Sequence, residues 1–243
     1  MSLLAAQVRW LFFDLGNTLV DEGAATEFRI RHLADRFARH GRRCSAEDIQ
    51  RAFEAASAEF APRAITRALE KLTDDPDLRQ SIVADARYPK ELEALYEGAA
   101  QVLRMLSARY RIGVIANQPA GTEERLTNWG LMPLVSICLS STEVGLEKPD
   151  PAIFRLALTR AECAPEEAVM IGDRLDNDIR PARLQGWKTI RILQGFARAS
   201  SRALRDFSRR GIGSTRPTQP WQSCRSCCPS SCPRSPDRRL RRP

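Results

Sequence analysis

Five short apolar runs, separated by segments of helical period, restrict what this chain can fold into more than any other feature. The runs are VRWLFFD (8–14), RIGVIAN (111–117), LVSICLS (134–140), EAVMIGD (167–173) and WKTIRIL (187–193). The first of them is continuously apolar rather than alternating, as a strand buried on both faces requires. Between them lie the amphipathic YEGAAQVLRMLSARY (96–110), a helix through Glu123 to Trp129, and one opened by Pro149-Asp150-Pro151. Proline suits a first helical turn because its missing N–H would have no partner there. A short helix from Asp178 to Gln185, closed by Gly186, precedes the last run. Strands alternating with helices predict an α/β fold, a parallel sheet with right-handed crossovers and helices on both faces.

The first run is not followed directly by the second. From Thr26 to about Arg87 the period is helical, with Phe28, Leu33, Phe37, Ile49, Phe53 and Phe60 assigned to one face and no strand signal between them. The expected organisation is a core over 1–21 and 90–197, an inserted helical cap over 22–89, and a tail over 198–243.

Charge supports the last boundary. The net charge of +8 suggests a nucleic-acid partner until it is located: residues 198–243 hold 12 Arg, no Lys and only Asp206 and Asp237, whereas the rest carries 26 basic and 28 acidic groups. Basicity therefore belongs to the tail, whose Arg, Pro, Ser and Cys lack any hydrophobic period and are expected to form a disordered extension. Cys224, Cys227, Cys228 and Cys232 have neither His nor an ordered flank to complete a zinc site, while Cys44, Cys138 and Cys163 are scattered like free thiols. With 43% apolar and 28% charged residues, no run of 18 apolar residues, and MSLLAAQ too short for a signal sequence, the expectation is a cytoplasmic protein. The expected partner is a small anionic molecule, with neither nucleic acid nor membrane; the sequence carries no signal for oligomeric state.

In open parallel sheets ligands gather at the carboxyl ends of the strands, so the polar residues there are informative. Asp14 ends the first run, Asn117 the second and Asp173 the fourth; Lys148 precedes a helix and Asp178 follows Asp173 by five residues. Singly, each has an ordinary reading as a turn, a helix cap or a solvated charge. Together, in this order and on this topology, they describe a site.

These residues carry a resemblance. FFDLGNTL, GVIAN, GLEKPDPAIF and MIGDRLDND resemble, in order, the four motifs of the haloacid dehalogenase-like hydrolase superfamily, over roughly residues 8–195. The resemblance is to the helical-cap (C1) type. It implies a Rossmann-like core, a cap inserted after the first strand, an aspartyl-enzyme intermediate and Mg²⁺ dependence. It assigns catalysis to Asp14 and Lys148, the metal to Asp14, the Gly16 carbonyl, Asp173 and Asp178, and the substrate to Thr18, Ala116, Asn117 and Gln118.

The chemistry of the groups agrees. A carboxylate attacks phosphorus only when repulsion between the two anions is relieved, so a divalent cation and a lysine belong beside it. Mg²⁺ takes oxygen ligands, which suits these aspartates and a backbone carbonyl. Asp178 would hold Lys148 or a metal-bound water.

Two positions depart from the family pattern. Gly16 stands where its phosphatases usually carry a second Asp, the acid to the leaving oxygen and base to the attacking water; a positioned acid or base contributes about 10² to 10⁴ in rate. Ala116 stands where a hydroxyl normally binds phosphate, a loss of roughly 1.5 to 3 kcal/mol. Mg²⁺-dependent phosphoryl transfer with weak turnover is therefore expected. A haloacid dehalogenase-type hydrolase and a non-catalytic binder of Mg²⁺ and phosphate are the alternatives. Gly172-Asp173 favours phosphoryl transfer, since halide displacement has little use for a metal carboxylate. His32 and His40 read as ordinary helix residues, and Asp21 and Glu22 as helix-start acids. The arginines at 29, 31, 36, 39, 42 and 43 read mostly as solvated faces that can steer an anion.

Overall fold

The computed structural model describes residues 7–59, 61, 64–84 and 87–195. A five-stranded parallel sheet is its centre. β1 (Trp10–Phe13) lies in the middle, β4 (Arg111–Ala116) and then β5 (Val135–Ser140) on one side, β6 (Ala168–Gly172) and β7 (Lys188–Arg191) on the other. Phe13 is in register with Val114 and with Ile171.

All four residues of β1 are buried, and the pleat divides them. Leu11 and Phe13 join Ile112, Val114, Val169 and Ile171 on one face, under Leu103 of α5 (Ala99–Ser107) and Leu126 of α6 (Thr122–Asn128). Trp10 and Phe12 join Ile115, Leu139 and Met170 on the other, under Phe154 and Ala157 of α8 (Pro151–Ala161) and Ala182 of α9 (Arg180–Leu184). Burial on both faces explains why the β1 run is continuous rather than alternating. The Phe12 ring stacks on Trp10 at 5.4 Å and tilts against Trp187 at 5.1 Å. It fills the space above its register partner Gly113, where a Cβ would stand 2.3 Å from the ring.

The chain leaves the core through β2 (Val20–Asp21) and returns through β3 (Ala94–Leu95), an antiparallel pair that the sequence reading did not foresee. Between them lie α1 (Gly23–Arg39), α2 (Ala46–Ala58), α3 (Ala64–Leu72) and α4 (Pro76–Ala84). These helices close a core of their own, in which Ile30, Leu33 and Phe37 meet Ile49, Phe53, Leu69 and Ile82. Ser45 opens α2 with a capping box: its Oγ accepts from the Asp48 amide at 3.1 Å, and Asp48 accepts from the Ser45 amide at 2.9 Å.

Phe28 corrects the expected stripe. It is exposed, under the Arg87 guanidinium and stacked on His32, because five residues to Leu33 turn a helix too far to share a face, while Ile30, Leu33 and Phe37 keep the three-and-four spacing. Phe60 and the 198–243 tail lie outside the described residues. No helix among the described residues is long and apolar enough to cross a membrane. Cys44, Cys138 and Cys163 are free thiols.

Candidate active site

Asp14 follows β1 directly. Its amide donates to the Ile171 carbonyl at 2.9 Å, so the strand ladder carries the residue to the sheet's carboxyl edge. Asp173 follows β6 in the same way. Lys148 comes from the loop between α7 (Ser141–Val144) and α8, the start of α8 being fixed by Asp150 accepting from the Ala152 amide at 2.7 Å and by Pro151 in the first turn.

Asn117 joins two of these loops. Its Nδ2 donates to the Lys148 carbonyl at 2.7 Å and its Oδ1 accepts from the Lys148 amide at 2.8 Å. Held this way, Lys148 places Nζ 2.6 Å from Asp14 Oδ1 and 2.6 Å from Asp178 Oδ1, and only 3% of the residue is exposed. Asp178 sits in a π-helical turn over Leu175–Ile179, and its second oxygen accepts from the Arg174 amide at 3.0 Å. The carboxylate packs against Gly172, where a Cβ would be 2.4 Å from Asp178 Oδ2. Glycine there lets the turn fold back onto the strand end.

Asp14, Asp173 and Asp178 offer carboxylate oxygens within 4.8 Å of one another, a group that could hold a metal ion. Crowding shifts their protonation. Burial, then the charges of Asp178, Asp14 and Glu22, hold the Asp173 carboxyl well above the usual range. Burial also pushes Asp178 up, to about 6, against the pull of Lys148. Burial works against the Lys148 ammonium, but Asp14 and Asp178 outweigh it and raise its pKa.

A cavity of about 500 Å³ opens from these groups toward the helices inserted between β2 and β3, within the range of small-molecule sites. Arg29 of α1 and Phe53 and Ser57 of α2 line it, with Tyr88 and Lys90 from the returning chain. The Arg29 guanidinium lies 5.6 Å from the Tyr88 ring centroid, and its Nε is buried with no hydrogen-bond partner. Gln118 Oε1 accepts from Lys90 at 3.2 Å and from Arg125 at 2.9 Å, and Arg125 pairs with Glu93.

The residues expected at the site divide accordingly. Asp14, Gly16, Asn117, Gln118, Lys148, Asp173 and Asp178 line the cavity. Thr18 and Ala116 do not: both are fully buried, and Ala116 packs in the core under α5 and α6. Asn117 spends its side chain on Lys148. Neither His32 nor His40 lines the cavity, and His40 lies against Ser81 Oγ at 3.4 Å.

Of the two acids read as helix-start residues, Asp21 behaves as one, accepting from the Gly23 amide at 2.8 Å. Glu22 does not. Its carbonyl accepts from the Thr26 amide at 2.9 Å, but its side chain makes no bond to α1 and turns back toward the loop after β1, where Asn17 Nδ2 donates to its Oε2 at 2.9 Å. Burial first, then the charges of Asp14 and Glu93, push its pKa up to about 7. The signal for it was Gly16 itself, since a missing side chain leaves room for one arriving from elsewhere. Arg29 belongs to the arginines whose positions suggest steering of an anion, whereas Lys90 carried no signal of its own.

Comparisons agree with this geometry. The model of the haloacid dehalogenase-like hydrolase family matches residues 8–186. A phosphoserine phosphatase of Thermus thermophilus is 33% identical over 139 residues, which is 56% of either chain. A glyceraldehyde 3-phosphate phosphatase of Methanopyrus kandleri is 28% identical over 77% of this chain and 85% of its own. The crystal structure of an HAD phosphatase from Thermococcus onnurineus superposes with a TM-score of 0.56 at 21% identity, over 76% of this chain and 86% of its own. Strand order, converging aspartates and family match lead to one conclusion: the chain belongs to the haloacid dehalogenase-like hydrolase family.

Proposed function

We propose that this phosphatase-like hydrolase is a Mg²⁺-dependent phosphatase that acts on a small phosphorylated substrate through a covalent intermediate on Asp14. The observation that carries the reading is the convergence of Asp14, Lys148, Asp173 and Asp178 at one end of the sheet. Three carboxylates around one ammonium leave net negative charge in a buried place, and hard oxygen donors of this kind suit Mg²⁺. Asp14, Asp173 and the Gly16 carbonyl would hold the ion, which when bound offsets the repulsion between Asp14 and a phosphate.

The chain's own groups do the rest. An Asp14 oxygen attacks phosphorus and Lys148 balances charge beside it. Asp178 fixes Lys148 from the far side through Oδ1, while its Oδ2 is taken by the Arg174 amide. Asn117 fixes Lys148 through its backbone. The cap, 22–89, closes the cavity over the phosphate, and Arg29 and Lys90 give that wall a positive character suited to the remainder of an anionic substrate. Relatives named for phosphoserine and glyceraldehyde 3-phosphate support a substrate of that size.

A panel of phosphate esters, phosphate anhydrides and haloacids, each with and without Mg²⁺, tests the reading. Phosphate release that needs Mg²⁺ and disappears in Asp14→Asn is the expected result. Halide release indifferent to metal would overturn it.

A further inference from the structure

The phosphatase reading leaves one chemical part unassigned, because Gly16 has no side chain to move a proton. We propose that Glu22 is the acid and base of this enzyme, delivered from the start of the cap into the space that a side chain at position 16 would occupy. The inference rests on the phosphatase reading and adds a catalytic residue to it.

The geometry is specific. A Cβ built on Gly16 would stand 2.4 Å from Glu22 Oε1, 2.8 Å from Cδ and 3.1 Å from Oε2, so the carboxyl group itself fills that place. Asn17, next to Gly16, holds it with a 2.9 Å hydrogen bond to Oε2. Oε1 has no such donor, and Glu22 lines the same cavity as Asp14 and Lys148. Helix capping does not account for this position, since Glu22 makes no side-chain bond to α1.

Other candidates for the role are engaged or distant. Glu93 is paired with Arg125, Asp178 with Lys148, and Asp176 with Arg174. Neither histidine lines the cavity. Glu22 also stands outside the group of three aspartates whose oxygens lie within 4.8 Å of one another, so it is beside the metal site and not one of its carboxylates.

Two steps follow. In the first, Asp14 attacks phosphorus, the bond from phosphorus to the leaving oxygen breaks, and that oxygen takes the proton from the Glu22 carboxylic acid. Alcohol leaves, and Glu22 is a carboxylate. In the second, Glu22 takes a proton from a water that attacks the same phosphorus, the Asp14–phosphorus bond breaks, and phosphate, free Asp14 and protonated Glu22 result.

Glu22→Gln keeps the shape and removes the proton transfer. Its kcat should fall about 10² to 10⁴-fold on an alkyl phosphate, the usual contribution of a positioned acid or base. On acetyl phosphate, whose leaving group needs no proton, the first step should survive and the second stall. Intact-protein mass should then show the variant accumulating a hydroxylamine-sensitive phosphate on Asp14. In a Glu22→Ala background, Gly16→Asp should recover activity on the alkyl phosphate, because the new carboxyl enters the vacated space. Equal losses on both donors with no trapped phosphate, or full activity of Glu22→Gln, would overturn the role of Glu22 while Mg²⁺-dependent, Asp14-dependent turnover of the wild type upheld the phosphatase reading. A wild type without turnover on either donor would overturn both. Circular dichroism confirms that each variant is folded.

Discussion

Asn117 and Lys148 hold each other by two hydrogen bonds, 2.7 Å to the lysine carbonyl and 2.8 Å from the lysine amide, across the gap between the end of β4 and the loop before α8. The pair is the reason that an ammonium from a loop reaches the end of β1. Replacing Asn117 by Ala leaves a buried amide and carbonyl without these partners, a cost of about 1 to 3 kcal/mol. The expected kinetic signature is a fall in kcat larger than the change in KM, because Lys148 loses position while the cavity wall at Arg29 and Lys90 stays intact. Steady-state kinetics and a urea melt check the two effects separately. Unchanged kcat would show that Lys148 is held by its ion pairs alone.

Asp178 holds the other end of the same lysine, with Nζ 2.6 Å from its Oδ1. Partners that orient groups around a metal site typically contribute 10- to 100-fold in activity or metal affinity, so Asp178→Asn should lose about that much. A loss under about twofold would mean that Asp14 suffices to place Lys148.

Asp173 is the most crowded carboxylate, with burial and three acidic neighbours raising its pKa. Without metal, Asp173→Asn should melt higher than the wild type because the repulsion is relieved. With millimolar Mg²⁺ the order should reverse, since ion binding stabilises only the chain that retains the ligand. Thermal melts with Mg²⁺ and with chelator read both arms; a Mg²⁺-induced shift equal in the two proteins would remove Asp173 from the metal site.

Gly113 carries a packing prediction. Alanine there would place a methyl group 2.3 Å from the Phe12 ring, which is confined between Trp10 and Trp187. Overpacking of this kind costs about 1 to 3 kcal/mol. Chemical denaturation of Gly113→Ala should show it, and Phe12→Leu in the same chain should recover part of it; a variant as stable as the wild type would mean that the strand pair slides to make room.

Cys138 provides a pH dependence away from the site. Burial first, then Glu123 and Glu143, push its thiol up to about 12. An unfolded cysteine ionises near about 8.5, so the unfolded chain sheds this proton first as pH rises. The stabilising contribution is therefore complete below that value and is lost between there and the folded pKa. Comparison of denaturation midpoints for wild type and Cys138→Ala from pH 8 to 11 should give a steeper decline for the wild type. Parallel curves would show that the thiol ionises alike in both states.

The α/β class, the five strands of the main sheet, the helices between β2 and β3 and the polar residues at the strand ends were legible in the order of residues alone. Each of those depends on local period or on a side chain lying next to its own strand, and both are written in consecutive residues. The sequence also marked Gly16 as a gap in the chemistry. What filled the gap, why Asn117 serves Lys148 and why Thr18 and Ala116 stay in the core were decided by tertiary structure. These relations join loops that the sheet order brings together, such as 117 with 148 and 148 with 178. The Glu22 side chain is held by Asn17 and makes no bond to its own helix. Period reports which face of an element is buried; only the packed chain decides which polar groups meet once those faces close.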